Sequence, residues 1–213
     1  MELQEAIRLR RSIRDFSKER VPMNIIRKAL EAGLRAPSYN HLKEWDFILV
    51  EDSTKRYQLT QTEAMVEEVN PALKESLKDY EDIAKEMYLD AIPKQKRMLI
   101  EAPELLVIVF KPKTKVEDSR RIYDLNCIAS VWCCIENILL SLAEDSVFGV
   151  TFISKNTEGV KEILGIPKGL EVAALIPFGY KKEEALIYPQ KEVKLKERLH
   201  INNYTSPSRG RTS

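Results

Sequence analysis

One stretch constrains this chain more than any other. Residues 123–142 are apolar around most of a helical circumference, with Leu125, Ile128, Ala129, Val131, Trp132, Ile135, Ile138, Leu139, Leu140 and Leu142 leaving almost no wet face. A helix of that kind is buried at the centre of a molecule or in an interface between subunits. The chain around it has 213 residues, 44% hydrophobic and 31% charged. That is one domain's length with enough apolar material for a sizeable core, and it excludes a disordered chain.

Helical and extended patterns surround this stretch. Residues 2–11 set Leu3, Ala6 and Ile7 on one face, which predicts a short amphipathic helix. Pro22 suits the first position of a second helix carrying Ile25, Ile26, Ala29 and Leu30 and ending near Gly33. In the turn-rich segment 36–41, Ser38 or Asn40 offers a cap for a short helix. Residues 47–50, 105–110, 148–153 and 170–178 read as strands. Residues 54–100 read as charged helices with breaks at Pro71 and Pro93, and 157–164 as a further helix. No repeat or compositional break divides the chain, so residues 1–213 are expected to form one α+β domain.

Glycine is scarce. Seven residues, at 33, 149, 159, 165, 169, 179 and 210, stand against an average usage of roughly 7%. No two are separated by one residue, so neither G-x-G-x-x-G nor G-x-x-x-x-G-K-[ST] is present, and a Rossmann domain is excluded. Any phosphate must be held by something other than glycine-rich backbone. Two His cannot build a His-rich metal site, and Cys127, Cys133 and Cys134 lack C-x-x-C spacing, so no metal centre is expected. Three thiols behind an N-terminus without an apolar leader read as a reduced, cytoplasmic protein. The longest purely apolar run, 105–110, is far short of the roughly 20 residues of a membrane span. A formal net charge of +1 gives no bulk attraction to nucleic acid or membrane, so neither partner is expected. Both ends are basic and residues 51–90 acidic, which fits a local anion site or an ordinary solvated surface.

Taken alone, Arg10-Arg11-Ser12-Ile13-Arg14 is a basic stretch where helix gives way to extended chain. Its three guanidiniums and one hydroxyl can converge on phosphate oxygens or simply face water. It is followed in order by Val21-Pro22, Leu30-Glu31-Ala32-Gly33, Ala36-Pro37-Ser38, Trp45 and the strand at 47–50. Ala102-Pro103 then precedes a strand, Asp124 begins the long helix, and Ala143-Glu144 and Gly149 come after it. Leu164-Gly165-Ile166-Pro167, Phe178-Gly179-Tyr180 and His200 complete the series. This order, over residues 2–203, resembles the nitroreductase family of FMN-dependent oxidoreductases. Members open with R-R-S-x-R-x-F and carry A-P-S-x-x-N-x-Q-P-W-x-F before the first core strand.

The resemblance implies a fold and an assembly. The fold is a central antiparallel sheet flanked by helices. The assembly is an intertwined homodimer, with the long apolar helix in its core and the C-terminal extension, about 190–213, lying across the partner. Such an assembly accounts for residues 123–142 better than a lone domain does. It also implies two FMN molecules at the interface, each touched by both chains. By motif position Arg10, Arg11 and Ser12 would hold the phosphate and ribityl chain. Arg14 would lie near the N1/C2-carbonyl edge of the ring, where a fixed cation favours the reduced state. Pro37, Ser38, Tyr39, Asn40 and His41 fall in the loop that reaches the flavin from the partner chain. Lys194, or Lys191 in another frame, takes the place of a C-terminal phosphate-binding residue. Residues 54–100 correspond to a helical excursion over the active site, in which Tyr57, Tyr80 and Tyr88 read as entrance-lining or packing residues. The chain departs from the pattern at His41, Lys43 and Glu44, where the family has Asn, Gln and Pro. It departs again at Val147, where the family has Gly, and at Phe152, where it often has Trp.

No triad, carboxylate pair or metal cluster is visible, so no catalytic side chain is assigned and the implied chemistry is the cofactor's. The resemblance implies a ping-pong cycle in which hydride passes from NADH or NADPH through flavin N5 to a nitroaromatic, quinone or similar small acceptor. Two alternatives stand beside it. One keeps the fold but carries a specialised flavin reaction, such as reductive deiodination, for which the altered 41–44 stretch speaks. The other is a non-enzymatic nucleotide- or anion-binding protein that uses the Arg10–Arg14 cluster.

Overall fold

The computed structural model describes residues 2–204. Met1 and residues 205–213, which hold the SPSRGRTS end and the last part of the expected extension, lie outside the described residues. Strands β1 (Trp45–Leu49), β2 (Glu104–Phe110), β3 (Val147–Gly149) and β4 (Glu171–Tyr180) pair antiparallel in the order β1-β2-β4-β3. The helices are α1 (Leu3–Leu9), α2 (Met23–Leu34), α3 (Ser53–Leu59), α4 (Pro71–Ser76), α5 (Asp82–Ala91), α6 (Gln95–Glu101), α7 (Asn126–Glu144) and α8 (Thr157–Leu164). This is the expected α+β architecture, one antiparallel sheet between helical layers.

The inner strands β2 and β4 are covered on both faces, which explains their near-continuous apolar runs. Side chains alternate across a strand. Leu106, Ile108 and Phe110 therefore enter one core with Ile176 and Phe178, while Leu105, Val107 and Val109 enter the other with Val172 and Leu175. The first core is completed by α2 and α7, through Ile26, Ala29, Val131, Ile135, Ile138 and Leu142. The second is completed by Ile13 and Phe16 of the N-terminal segment, Met98 and Leu99 of α6, and Val160 of α8.

The long apolar helix divides its two sides between different surroundings. Val131, Cys134, Ile135, Ile138 and Leu142 are buried toward the sheet, while Trp132 is 38% exposed and Ile122, in the preceding turn, 88%. Residues Ile122–Glu144 are long and apolar enough to cross a membrane by composition, yet α7 packs against β2, β3 and β4 as a core helix does. Asp124 seats its entrance by accepting from the backbone N–H groups of Arg120 and Arg121 at 3.3 and 3.2 Å.

Several boundaries differ from the sequence reading for identifiable reasons. Pro22 is the N-cap of α2 and not its first residue, a shift of one position. Strand β1 begins at Trp45, and its residues after Trp45 are half-buried or exposed because it is an edge strand. The apolar stretch 148–153 pairs only over Val147–Gly149, after which Phe152 bridges back to Leu175. Pro71 opens α4 at its first turn, behind an Asn70 cap that accepts from Leu73 N–H at 2.9 Å. Ser38 precedes the 3-10 turn Tyr39–His41 without capping it, its hydroxyl instead accepting from Lys43 N–H at 3.2 Å.

Candidate functional site

The basic N-terminal segment is placed by its apolar residues. Ile13 and Phe16 are buried in the second core, and the backbone pairs with the end of β4. Phe16 bridges Lys181, Ser17 N–H donates to Tyr180 O at 2.8 Å, and Lys182 N–H donates to Asp15 O at 3.1 Å. In extended chain a buried Ile13 turns Ser12 and Arg14 the other way. They line a cleft of about 330 Å³ together with Arg10 and Arg11. The rest of its lining comes from Glu81, beside α5, from Ile83, Ala84 and Met87 of that helix, and from residues 187–191.

The cations in the cleft are held differently. Arg10 pairs through Nε with Glu136 Oε1 of α7 at 2.9 Å. Arg11 turns back on α1, its Nη1 donating to the carbonyls of Arg8 and Arg10 at 2.8 and 3.0 Å, as a basic residue at a helix C-terminus does. Arg14 is half-buried, and among the described residues its guanidinium forms no hydrogen bond or ion pair. Burial pushes its pKa down, against the opposing pull of Asp90, Tyr88, Asp15 and Tyr188. Lys191 Nζ bonds both oxygens of Glu81, at 2.6 and 2.7 Å, which ties the 187–191 segment to the start of α5.

The remaining expected residues lie apart from this cleft. Lys194 is exposed and does not line it, whereas Lys191 does. Pro37, Ser38, Tyr39, Asn40 and His41 form a separate turn against α7, where Tyr39 N–H donates to Ser130 Oγ at 2.9 Å. The Tyr39 and Tyr123 hydroxyls are 2.5 Å apart with their rings edge to face, and Lys113 Nζ lies 3.9 Å from the Tyr123 ring centre. The bond from Tyr123 holds the Tyr39 phenol below its ordinary pKa, against burial and aided by Lys113. Asn40, His41 and Lys43 adopt φ of 51°, 55° and 48°, a left-handed region uncommon for residues other than glycine. Two of the three, His41 and Lys43, are positions where the sequence departs from the motif. Lys43 Nζ also donates to Leu34 O at the end of α2, at 2.6 Å.

Val147 is fully buried in the first core opposite Tyr180, so it lies in the packing of β3 and not in the cleft. Tyr80 and Tyr88 pack on each other, ring centres 5.3 Å apart, and neither they nor Tyr57 lines the cleft. The α5 contribution was unassigned in the sequence, although Ile83, Ala84 and Met87 at i, i+1 and i+4 share one helical face. Glu136 and Glu81 carried no such signal, because their partners Arg10 and Lys191 are far away in the chain.

The chain belongs to the nitroreductase family, whose model matches residues 7–180. Its likeness to individual proteins runs through most of its length. It is 27% identical over 196 residues to the iodotyrosine deiodinase of Thermotoga neapolitana, covering 90% of this chain and 95% of that one. It is 29% identical over 191 residues to an NADH dehydrogenase of Thermus thermophilus, covering 87% and 89%. Among solved structures, oxidised iodotyrosine deiodinase bound to FMN and 3-iodo-L-tyrosine shares the fold with a TM-score of 0.71 at 22% identity, over 95% of this chain and 100% of that one.

Proposed function

We propose that this chain is an FMN-dependent oxidoreductase, working as a homodimer, that takes hydride from NADH or NADPH and passes it to a nitroaromatic, quinone or similar small acceptor. The observation that carries this reading is the convergence of Arg10, Ser12 and Arg14 on one cleft that also has an apolar side at Ile83, Ala84 and Met87. These residues fit FMN: cations and a hydroxyl suit phosphate and ribityl oxygens, and apolar side chains suit a flat ring system. The cleft's volume falls in the roughly 300–1,000 Å³ range of small-molecule sites.

FMN, when bound, supplies the two-electron chemistry. Arg10 and Ser12 would hold the phosphate and ribityl oxygens, and the bond from Arg10 Nε to Glu136 leaves both Nη groups to donate. Arg14 would hold the carbonyl edge of the ring, where its fixed charge stabilises the electron-rich state and raises the reduction potential. Pro37, Ser38, Tyr39, Asn40 and His41, which lie outside their own chain's cleft, would act on the cofactor of the partner, and Lys194 or Lys191 would meet a phosphate, Lys191 being the one that lines the cleft. The exposed Leu3, Ile7, Ile122 and Trp132 support a second copy covering α1 and α7.

The absorbance spectrum tests the reading. Flavin bands are expected in the purified protein or after addition of FMN, with bleaching by NADH or NADPH and turnover of a nitroaromatic or quinone. A protein that carries no flavin bands after incubation with FMN and removal of the unbound flavin overturns it and leaves the non-enzymatic anion binder. The likeness to the Thermotoga neapolitana deiodinase favours a second reading, reductive dehalogenation of a halophenol. There a carbon–halogen bond gives way to carbon–hydrogen, two electrons and one proton are consumed, and halide leaves. Iodide release from 3-iodo-L-tyrosine by the dithionite-reduced protein, without turnover of generic acceptors, would select it.

A further inference from the structure

Arg14 has two carboxylates near it and touches neither. Asp15 is its neighbour in sequence, and Asp90, in the last turn of α5, is within electrostatic reach. Both carboxylates are occupied by other cations. Lys94, in the turn between α5 and α6, bonds Asp15 Oδ2 and Asp90 Oδ1, each at 2.6 Å. Arg97 of α6 pairs with Asp15 Oδ1. The side chains of Lys94, Asp15 and Asp90 are only 19%, 16% and 16% exposed. Without Lys94, Asp15 keeps Arg97 while Asp90 is left shielded with no bonded cation, and a shielded carboxylate in that state draws in a cation; Arg14 is within its electrostatic reach. Burial pulls the Lys94 ammonium down, but its bonds to Asp15 and Asp90 outweigh this and hold its pKa above the ordinary value. Lys94 therefore remains charged at neutral pH.

We infer that Lys94 is a positioning residue for the cleft: by occupying Asp15 and Asp90 it keeps the Arg14 guanidinium unpaired and presented to an anionic or carbonyl group of the ligand. The inference rests on reading the cleft as an FMN site. It goes beyond that reading by assigning a residue that lines no part of the cleft and acts through another. Arg14, Lys94 and Arg97 against Asp15 and Asp90 leave one net positive charge. A neutral residue at 94 removes it and frees Asp90 to pair with Arg14.

The test compares Lys94→Met, Lys94→Arg and the double variant Lys94→Met/Asp90→Asn, each titrated with FMN and followed by flavin potentiometry. Lys94→Met is expected to bind FMN roughly tenfold more weakly, the worth of one charge-assisted hydrogen bond, and to lower the flavin midpoint potential. Lys94→Arg restores both, and so does the double variant, because a neutral amide at position 90 no longer competes for Arg14. A purely structural Lys94 gives the opposite pattern, the double variant being no better than the single. A second arm needs no flavin. Modification of Arg14 by phenylglyoxal, read by peptide mass spectrometry, is expected to slow in Lys94→Met and recover in the double variant. If Lys94→Met fails to fold, Lys94→Gln takes its place in every comparison. Unchanged FMN affinity and Arg14 reactivity in the single variant, or no recovery in the double, overturns the inference while the functional reading stands. A wild type that takes up no FMN overturns the functional reading, and the phenylglyoxal arm then decides by itself whether Lys94 keeps Arg14 unpaired.

Discussion

Glu104 opens β2 with a carboxylate almost closed off from water, its side chain 1% exposed. Its Oε1 accepts from Val21 N–H at 3.2 Å and from Arg20 Nε at 2.8 Å, while Oε2 is buried with no partner. Burial pushes its pKa up, and Arg20 and the Val21 N–H pull it only part of the way back. The native state therefore holds this proton more tightly than the unfolded chain does. Stability from this group is present at acid pH and is lost as pH rises through the raised pKa. Glu104→Gln is expected to be at least as stable as the wild type at pH 7, with its advantage shrinking toward acid pH, and urea midpoints across a pH series check this. Cys134, fully buried on α7, has its thiol pushed up to about 12 by burial, so it stays protonated and inert at neutral pH. Thiol counting with and without urea is expected to find Cys134 reactive only in the unfolded protein. Neither environment was legible beforehand, because Glu104 and Cys134 look like any other Glu and Cys until distant elements close over them.

Two glycines of the recognised motifs are explained by how closely elements approach each other. A Cβ on Gly179 of β4 would lie 2.7 Å from both Cδ and Cγ of Pro103, a rigid ring at the entrance to β2. A Cβ on Gly33 of α2 would lie 2.7 Å from Ile138 Cγ1 on α7. Gly179→Ala is expected to cost about 1–3 kcal/mol through overpacking. Gly33→Ala should cost less, since Ile138 can shift and alanine favours a helix by about 1 kcal/mol over glycine. Thermal or urea unfolding of the two variants checks the order. The sequence reading was sharpest where such signals are local. Helix α8 spans 157–164 as expected, capped by Asn156, whose side chain accepts from Gly159 N–H, and closed by left-handed Gly165. It was weakest at β3, because an apolar run does not say how many of its residues find a partner strand.

Among the described residues, one side of α7 and part of α1 have no covering layer, with Trp132, Ile122, Leu3 and Ile7 exposed. Sedimentation is expected to give a particle of twice the 24.6 kDa chain mass. Trp132→Asp, which places a charge on that side, is expected to shift it toward monomer and to weaken FMN retention with it. If residues of the 37–41 turn serve the partner's cofactor, loss of the dimer removes contacts that the chain's own cleft does not contain. A Trp132→Asp protein that stays dimeric would place the interface elsewhere.

Periodicity, turn residues and motif order were enough to give an α+β domain, most of its elements and the Arg10–Ser12–Arg14 segment, because each depends on neighbours a few residues apart. They were also enough to exclude glycine-rich phosphate loops, since that needs only a count and a spacing. Which residues share the cleft with that segment followed from the packing. Glu81, Glu136 and Asp15 meet Lys191, Arg10 and Lys94 across long stretches of chain, and those separations carry no periodic signal; the Asp90–Lys94 pair, four residues apart, is the local one. The left-handed backbone at Asn40, His41 and Lys43 likewise belongs to the folded chain, in the segment 35–44 that joins α2 to β1. Charge pairing across such distances depends on three-dimensional position, and that is fixed only once both faces of the sheet are covered.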